Sequence, residues 1–258
     1  MSIKSKISII GTGKMAHAMG RALVQSGACI VEVAGRNSEK GSQLAEDLGA
    51  KYVEATESLS SDVDAYAVLV SDDAIRSVSS LLPKGVNQFH ASGVTEAGKL
   101  AGEVVGVVWP IKSINEKSID EGFQGVPMGI EASNQEFADF LFELAQNMGA
   151  EAFMADAKTK SIIHLAAVFT DNFANHCLTL SQEVLKNTNL DPGLMKSLAE
   201  GLAKGGANGD SASRQTGVAL RGDLGSQTKH ISLLHSEETI EFYKFLSKHI
   251  AEYHELQD

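Results

Sequence analysis

The sequence predicts an α/β protein in which a Rossmann-type, mostly parallel sheet is followed by a smaller all-helical domain. Two features support this fold class. Short apolar segments alternate with amphipathic helical segments through the first part of the chain, whereas the pattern from Lys158 onward is helical throughout. We therefore expect a Rossmann-like domain at residues 1–154 and a helical domain at residues 155–258, with the change of pattern within residues 152–158.

The first domain contains several candidate strands, most of them short apolar runs. They are residues 6–10, 30–34, 65–70, 87–90, 104–108 and 128–131. Amphipathic segments between the early strands predict helices at residues 15–26, 38–48 and 73–82. Strands and helices that alternate at this spacing favour βαβ units, in which neighbouring strands run parallel.

The second domain is predicted to be a succession of helices. Residues 158–187 predict one long helix, and Asp191-Pro192 predicts the start of another, because proline suits the first turn of a helix. Residues 205–210, which are rich in glycine, interrupt the pattern. Two further helices are predicted within residues 224–235 and 237–254.

Composition and charge exclude several classes of protein. The net charge of −11 argues against a protein that tracks the phosphates of a nucleic acid, which requires a basic face. No segment approaches the ~20 apolar residues of a membrane span, and the first apolar run is too short for a signal peptide, so the expected location is the cytoplasm. Cys29 and Cys177 are expected to be reduced, buried thiols, with one disulfide as the alternative, and no metal-binding motif is present.

A glycine-rich loop follows the first predicted strand and opens the first predicted helix. Its sequence is Gly11-Thr12-Gly13-Lys14-Met15-Ala16. In such a loop the first glycine permits a tight turn, the second lets the backbone approach a pyrophosphate, and Ala16 replaces the third glycine, which allows close packing of helix and strand. Amide groups at the helix N-terminus then face the phosphates. We therefore predict that this loop binds a nicotinamide dinucleotide; a glycine turn without a ligand is the alternative.

The end of the second strand bears on the choice between NAD and NADP. NAD sites usually carry a carboxylate there that binds the ribose hydroxyls, but Gly35 occupies the expected position, and Glu32 lies in mid-strand, about 10 Å from the strand's end. Arg36 and Asn37 follow directly. A charge-assisted contact of Arg36 with a 2′-phosphate favours NADP. The alternative is that Arg36 is a solvated surface residue.

Three further segments are expected at the carboxyl edge of the sheet, where ligands bind in open α/β folds. Val70-Ser71-Asp72 ends one strand and is predicted to line the cofactor. His90 and Ser92 follow the next strand. We assign Ser92 to the cofactor and His90 to the substrate or the nicotinamide, with loop bracing as the alternative role of His90. Trp109-Pro110-Ile111-Lys112 ends the third strand.

Polar residues recur along the long helix predicted at residues 158–187. At ~100° per residue, one stripe of this helix contains Lys160, His164, Asp171 and Asn175, with Asn172 at its margin. Such a stripe faces either solvent or a polar cleft. In a cleft, lysine and imidazole both suit proton donation to a developing alkoxide.

Two arginines lie in the segment that joins two predicted helices of the second domain. Arg214 and Arg221 are surrounded there by small polar residues. They are predicted to hold a substrate carboxylate, which a guanidinium binds with two hydrogen bonds. An interdomain or dimer salt bridge is the alternative.

Taken together, these segments resemble bacterial NADP oxidoreductases that pair a Rossmann-like domain with a helical domain of unknown function, in the 6-phosphogluconate dehydrogenase-like superfamily. The glycine loop is generic to that superfamily. The more specific segments are residues 71–75, 90–93, 160–169, 172–173 and 217–223. The resemblance implies an NADP-dependent oxidoreductase, and some relatives serve as alternative ketopantoate reductases.

The resemblance also implies that Lys160, His164 and Asn172 lie in an interdomain cleft and that the helices form a homodimer. One segment departs from the pattern, because relatives are expected to carry His-Pro where this chain has Trp109-Pro110, which leaves the substrate open. Pyrroline-5-carboxylate reductase shares the N-terminal motif, but its C-terminal signature rich in glycine, serine and threonine is absent here.

The sequence leaves three hypotheses for function. The first is an enzyme that uses NADPH to reduce a small 2-oxo acid, such as ketopantoate, with Lys160 or His164 supplying the proton. The second is a non-catalytic NADP-binding module that senses redox state or binds another protein. The third is an imine reductase, for which a carboxylate donor would be favoured over lysine, and Asp171 is the candidate.

Overall fold

A computed structural model describes residues 4–54, 56–186, 188–207 and 209–255. The chain divides into two compact units, Met1–Asp171 and Asn172–Asp258. The division falls beyond the boundary expected at residue 154, because the first helix after that boundary packs with the sheet and anchors there through Lys160.

The described part of the first unit forms one eight-stranded sheet. Its strands are β1 (Lys6–Ile10), β2 (Cys29–Ala34), β3 (Lys51–Val53), β4 (Ala65–Val68), β5 (Asn87–His90), β6 (Val105–Pro110), β7 (Pro127–Ala132) and β8 (Glu151–Met154). Their order across the sheet is β3-β2-β1-β4-β5-β6-β7-β8. The β6–β7 pair is antiparallel and the other neighbouring pairs are parallel, so the predicted Rossmann-type, mostly parallel sheet is confirmed.

The helices of the first unit connect these strands. They are α1 (Lys14–Gln25), α2 (Ser38–Leu48), α3 (Ile75–Ser79), α4 (Gln135–Asn147) and α5 (Ala157–Ala167). The side-chain oxygen of Asn37 caps α2 by accepting from the Lys40 amide at 2.9 Å, and Gly49 ends that helix in a left-handed conformation. These start and stop signals explain why α2 has the predicted bounds.

The structure differs from the sequence-based prediction in four elements. The short strands β3 and β8 and the helix α4 were not predicted. β3 and β8 lie at the two edges of the sheet and are partly exposed, so they lack the apolar runs of the central strands. The helix predicted at residues 73–82 is instead a 3₁₀ turn, Asp72–Ala74, followed by the single short helix α3.

Both faces of the sheet are covered. Ile7 and Ile9 of β1 point to one face and pack in a cluster with Leu23 of α1. Ile10 points to the opposite face and packs in a second cluster with Val68 of β4. Strands that are buried on both sides tend to carry apolar runs, which is why β1, with Ile7, Ile9 and Ile10, was predicted with the bounds that the structure has.

The long helix predicted at residues 158–187 consists of three consecutive helical segments. α5 is followed by a π-helical segment, Val168–Phe173, and then by α6 (Ala174–Leu185), while residue 187 lies outside the described part. A π-helical turn holds more residues than an α-helical turn. The regular 100° spacing that placed Asp171 and Asn175 on the stripe of Lys160 therefore does not hold across this segment.

The described part of the second unit is helical, as predicted. After α6 it contains a 3₁₀ turn (Pro192–Met195), α7 (Lys196–Gly206), α8 (Leu224–Ser232) and α9 (Glu237–Glu255). Asp191 caps the 3₁₀ turn by accepting from the Gly193 amide at 2.8 Å, which confirms the predicted helix start. None of the helices in the described ranges is both long and apolar enough to cross a membrane.

The two cysteines are free, as expected, but both are exposed, so the prediction that they are buried was wrong. Cys29 is the first residue of β2, and Cys177 lies in α6. Among the residues that the structure describes, no three or more His, Cys, Asp and Glu side chains are grouped as a metal site would require.

Candidate functional site

A cavity of about 1050 Å³ opens where β1, β2 and β4 end. Residues 10–15, residues 35–37 with Lys40, and residues 69–71 form most of its wall. The lining includes most of the positions assigned to the cofactor from the sequence: Gly11, Thr12, Gly13, Lys14, Met15, Arg36, Asn37, Val70 and Ser71. The cavity therefore lies at the carboxyl edge of the sheet, where open α/β folds bind their ligands.

Three other residues assigned to the cofactor do not line this cavity. Ala16 is fully buried in the core between α1 and the sheet, which is the packing role of the third position in the glycine motif. Asp72 is exposed at the start of the 3₁₀ turn, and Ser92 lies in the loop after β5.

The glycine loop is shaped by two different constraints. Gly11 has a φ of +126°, and a Cβ there would lie 2.1 Å from the Leu69 carbonyl oxygen, so the fold itself requires glycine. A Cβ on Gly13 would meet no protein atom within 4 Å. Gly13 is the N-cap of α1, and among the described residues no side chain caps that terminus. The first amides of α1 are thus free to bind a phosphate group.

The end of β2 places two cations at the cavity. Arg36 and Lys40 both line it and are exposed. Asn37 also lines it, but its side-chain oxygen is used to cap α2, which leaves only its NH₂ group for a ligand. One carboxylate, Glu54, borders the same cavity just beyond β3. Lys40 was not singled out from the sequence, although it lies one helical turn after Arg36.

Glu32, the carboxylate considered for the ribose, does not line the cavity. It is buried within the sheet and accepts a hydrogen bond from the Ser60 amide at 2.8 Å. Burial, and then the negative charge of Glu32, raise the pKa of Tyr66 to about 12. Glu32 is therefore part of the packing beneath the site.

His90 is fully buried at the end of β5. Its Nδ1 accepts from the Ser92 amide at 3.1 Å, and its Nε2 lies 3.3 Å from the Glu96 carbonyl oxygen, to which it donates. Burial lowers the pKa of His90 to about 4, so the ring is neutral near pH 7. Both nitrogens are engaged, and this geometry favours loop bracing over contact with a substrate.

Lys160 is only 1% exposed, on the side of α5 that faces the sheet. Its Nζ forms an ion pair with Glu131 Oε2 at 2.9 Å and donates to the Thr95 carbonyl oxygen. Glu131 was missed in the sequence, although it is the only charged residue of β7. A charge within an otherwise apolar strand is a signal for a buried partner of opposite charge.

His164, one turn after Lys160, is partly buried beside the loop that follows β5. Its ring lies 6.0 Å from the Trp109 ring, measured between centroids. A Cβ on Gly93 would lie 2.8 Å from His164 Nδ1 and 2.7 Å from Trp109 Nε1. The absence of a side chain at Gly93 therefore makes room for both rings.

The remaining polar positions of the predicted stripe are exposed. Asp171 is exposed and accepts a hydrogen bond from the Ser113 hydroxyl. Asn172 and Asn175 belong to the second unit and are exposed there. Within the first unit, the structure thus brings Lys160 and His164 together on α5.

The two arginines assigned to the substrate lie in the second unit and are exposed. The Arg214 guanidinium packs on the backbone of α7, since a Cβ on Gly205 would lie 2.5 Å from Arg214 Cζ. Arg221 is presented by a tight turn between Gly217 and Gly222, both of which have positive φ.

Comparison with known families matches two parts of the chain, and the second match begins within the first structural unit. Residues 6–97 match the family described as NADP oxidoreductase, coenzyme F420-dependent. Residues 126–250 match a domain of unknown function, DUF2520. The resemblance inferred from the sequence is therefore confirmed. No curated protein matches the sequence.

Several solved structures are similar over nearly the whole chain. A Bacteroides fragilis protein provisionally classed as an NADP oxidoreductase is 28% identical, with a TM-score of 0.87 over 96% of this chain and 98% of that one. A Thermotoga maritima protein is 23% identical, with a TM-score of 0.70 over 97% and 99%. A reductive aminase from Aspergillus terreus is 12% identical, with a TM-score of 0.70 over 97% and 95%. The last two similarities show the fold alone.

Proposed function

We propose that this chain catalyses the NADPH-dependent reduction of a small carbonyl acid. Its residues 6–97 match the NADP oxidoreductase family and its residues 126–250 match the DUF2520 domain. These matches indicate an NAD(P)-dependent oxidoreductase; the preference for NADP and the substrate are the proposal. It depends chiefly on one observation, the cavity that is lined both by the glycine loop and by Arg36 and Lys40.

The residues of the cavity fit a phosphorylated dinucleotide. The uncapped N-terminus of α1 and the open space beside Gly13 suit a pyrophosphate. Arg36 and Lys40 bind the 2′-phosphate by charge-assisted hydrogen bonds, which are stronger than those between neutral groups. NADPH, when bound, supplies a hydride to the carbonyl carbon of the substrate.

Geometry favours His164 over Lys160 as the source of the proton. The His164 ring is partly exposed, whereas the Lys160 ammonium is buried and already bound by Glu131 and Thr95. A general acid must come within hydrogen-bonding distance of the oxygen that it protonates. His164 therefore donates a proton to the carbonyl oxygen as negative charge develops there.

The proposed substrate is a small 2-oxo acid, with ketopantoate as the candidate that the family resemblance suggests. Arg214 and Arg221 remain candidates for binding its carboxylate, because exposed guanidinium groups can bind a carboxylate with two hydrogen bonds. The Trp109 ring is 6% exposed and belongs to the apolar core against which His164 packs.

The proposal is tested by following NADPH oxidation with ketopantoate, other 2-oxo acids and a set of cyclic imines. We expect turnover of a 2-oxo acid, and we expect His164→Gln to lower kcat roughly 100-fold, the contribution typical of a general acid. The matched control is His235→Gln, at an exposed histidine of the second unit, which is expected to keep wild-type turnover.

The other outcomes of this test point to the other hypotheses. Turnover of imines alone would favour an imine reductase, with Asp171 as the next residue to replace. NADPH binding without turnover of any compound would favour a non-catalytic module. Full turnover by His164→Gln would overturn the assignment of the proton donor.

We also propose that the protein is a homodimer formed through the helices of the second unit. The described residues of that unit that are buried are Gly205, Ala219 and Ser247. Leu194, Leu198 and Leu202 recur at four-residue intervals and are 57%, 73% and 69% exposed. A helical unit with so little buried apolar surface gains a core when a second copy covers such a stripe.

A further inference from the structure

We infer that Glu131 is a positioning residue of the proposed active site: with Lys160, it holds the loop at residues 92–97 in the place where His164 packs against it. The inference rests on the proposed function for its catalytic consequence. The contacts themselves all lie within the first unit.

Glu131 uses both of its carboxylate oxygens to hold this loop. Oε1 accepts a hydrogen bond from the Ala97 amide at 3.2 Å. Oε2 lies 2.9 Å from Lys160 Nζ, and Lys160 in turn donates to the Thr95 carbonyl oxygen. The ion pair thus holds the loop at two points: Glu131 binds the amide of Ala97, and Lys160 binds the carbonyl oxygen of Thr95.

The other end of the same loop is held by groups that were described above. The Ser92 amide donates to His90 Nδ1, and the Ser92 hydroxyl oxygen accepts from the Thr95 amide at 3.0 Å. Gly93, between these points, lies directly under the rings of His164 and Trp109. The loop is therefore fixed on both sides of the residue that seats His164.

Replacing one partner of this ion pair is expected to disturb the other, because both charges are largely removed from water. Lys160 is 1% exposed and Glu131 19% exposed, so each charge depends on the other for the solvation that it has lost. Both groups that face the Glu131 carboxylate are hydrogen-bond donors. The amide of Gln has one acceptor oxygen, and its NH₂ group would be turned against a donor. Glu131→Gln is therefore expected to break one of the two hydrogen bonds that the Glu131 carboxylate accepts, from Ala97 or from Lys160.

The catalytic consequence follows from the position of Gly93. When the loop shifts, the space that Gly93 leaves for His164 changes, and the imidazole loses its alignment with the substrate. A displacement of about 1 Å can lower a rate by roughly 100-fold. Glu131 and Lys160 do not line the cofactor cavity, so NADPH binding is unaffected.

The chain's one tryptophan provides a readout that needs neither substrate nor cofactor. Trp109 lies beside His164 above Gly93. An imidazole ring beside an indole quenches the indole fluorescence, most strongly in its imidazolium form. His164→Gln is expected to brighten Trp109 and so calibrates the signal. Glu131→Gln is then expected to raise the emission toward that of His164→Gln, because the two rings separate.

The experiment compares Glu131→Gln and Lys160→Met with a matched control, Glu121→Gln. Glu121 is an exposed carboxylate that pairs with Lys112 at 2.8 Å. We expect the first two variants to brighten Trp109 and to lower kcat roughly 10- to 100-fold, with the Kd of NADPH within about twofold of wild type. The control is expected to match wild type in all three measurements.

Two outcomes would overturn the inference. One is wild-type fluorescence and kcat in Glu131→Gln. The other is a lower melting temperature with unchanged fluorescence and kcat, which would make the ion pair merely structural. If either single variant fails to fold, the charge-balanced double variant Glu131→Gln/Lys160→Met provides the same comparison. If no substrate is found, the proposed function fails, but the fluorescence still decides whether Glu131 positions His164.

Discussion

Gly11 and Gly13, at the residue scale, occupy the glycine motif for different physical reasons. Gly11→Ala is expected to lower the free energy of unfolding by about 3 kcal/mol, because its methyl group would meet the Leu69 carbonyl at a positive φ. Gly13→Ala is expected to keep the wild-type melting temperature but to weaken NADPH binding at least tenfold or so, because its methyl group occupies the space for the pyrophosphate.

Thermal unfolding and calorimetric titration with NADPH separate these two effects. Wild-type NADPH affinity in Gly13→Ala would contradict the placement of the pyrophosphate beside α1. An unchanged melting temperature in Gly11→Ala would contradict the close approach of the loop to Leu69.

His90, also at the residue scale, makes stability depend on pH. Its pKa is about 4 in the folded chain, against an ordinary value of 6.5, so the unfolded chain binds the proton more readily. The stabilising effect is complete above pH 6.5 and is lost as the pH falls toward 4, up to about 3 kcal/mol. His90→Gln is expected to show a smaller change in the free energy of unfolding between these pH values than the wild-type protein does.

Urea unfolding near pH 7 and near pH 5 provides the measurement for His90. The exposed His235→Gln variant is the control and should keep the wild-type difference between the two pH values. The same difference in wild type and in His90→Gln would show that His90 is not buried as a neutral ring.

The start of α5, at the scale of elements, sets the direction of the helix that bears Lys160 and His164. Asp156 caps it by accepting from the Thr159 amide at 2.7 Å, and this hydrogen bond holds the pKa of Asp156 below its usual value. Asp156→Ala is expected to lower the melting temperature by a few degrees, whereas Asp156→Asn, which also caps helices well, should retain most of it. Equal losses in the two variants would contradict the capping role.

Elements with strong local signals could be predicted from the sequence. β1, β5 and α2 have the predicted bounds. β1 is rich in isoleucine, and α2 has a capping residue at one end and glycine at the other, whereas the polar sequence of β5 carries no such signal. β3 and β8 could not be predicted in this way, because they are only 3 and 4 residues long and lie at the sheet edges. α4 did have a signal, the cap at Asn134 followed by buried residues at helical spacing.

The cofactor side of the site was more predictable than the catalytic side. A glycine loop between a strand and a helix is a local pattern, and most of its positions do line the cavity. The burial of Lys160 depends on Glu131, which is 29 residues away along the chain. Helical periodicity shows which residues share a face of a helix but not which charge from another element meets that face, so the ion pair emerges only in the folded chain.

The small buried surface of the second unit leads, for the whole molecule, to a prediction about assembly. The wild-type protein is expected to sediment as a dimer and to show a melting temperature that rises with protein concentration. Leu198→Glu with Leu202→Glu is expected to yield monomers or to lower the melting temperature, because two charges would enter the proposed contact.

Ala203→Glu is the control for the assembly experiment. Ala203 is an exposed residue of α7 next to Leu202, but it points away from the face that Leu198 and Leu202 share. It should sediment like wild type. A wild-type protein that is monomeric at all concentrations would contradict the proposed dimer.

Cofactor choice is the property of the whole molecule on which the account depends most. Arg36 and Lys40 favour NADPH, whereas Glu54, on the same cavity, is the carboxylate that would favour the free ribose hydroxyls of NADH. A titration with both cofactors distinguishes these effects: NADPH binds more tightly if Arg36 and Lys40 dominate, and NADH binds more tightly if Glu54 dominates.

That measurement is the calorimetric titration of the wild-type protein, and of Arg36→Gln and Lys40→Gln, with NADPH and with NADH. We expect NADPH to bind at least tenfold or so more tightly than NADH, and each variant to lose most of that preference while its NADH affinity is unchanged. Equal or tighter binding of NADH, or binding of neither cofactor, would contradict the central claim that this cavity binds NADP.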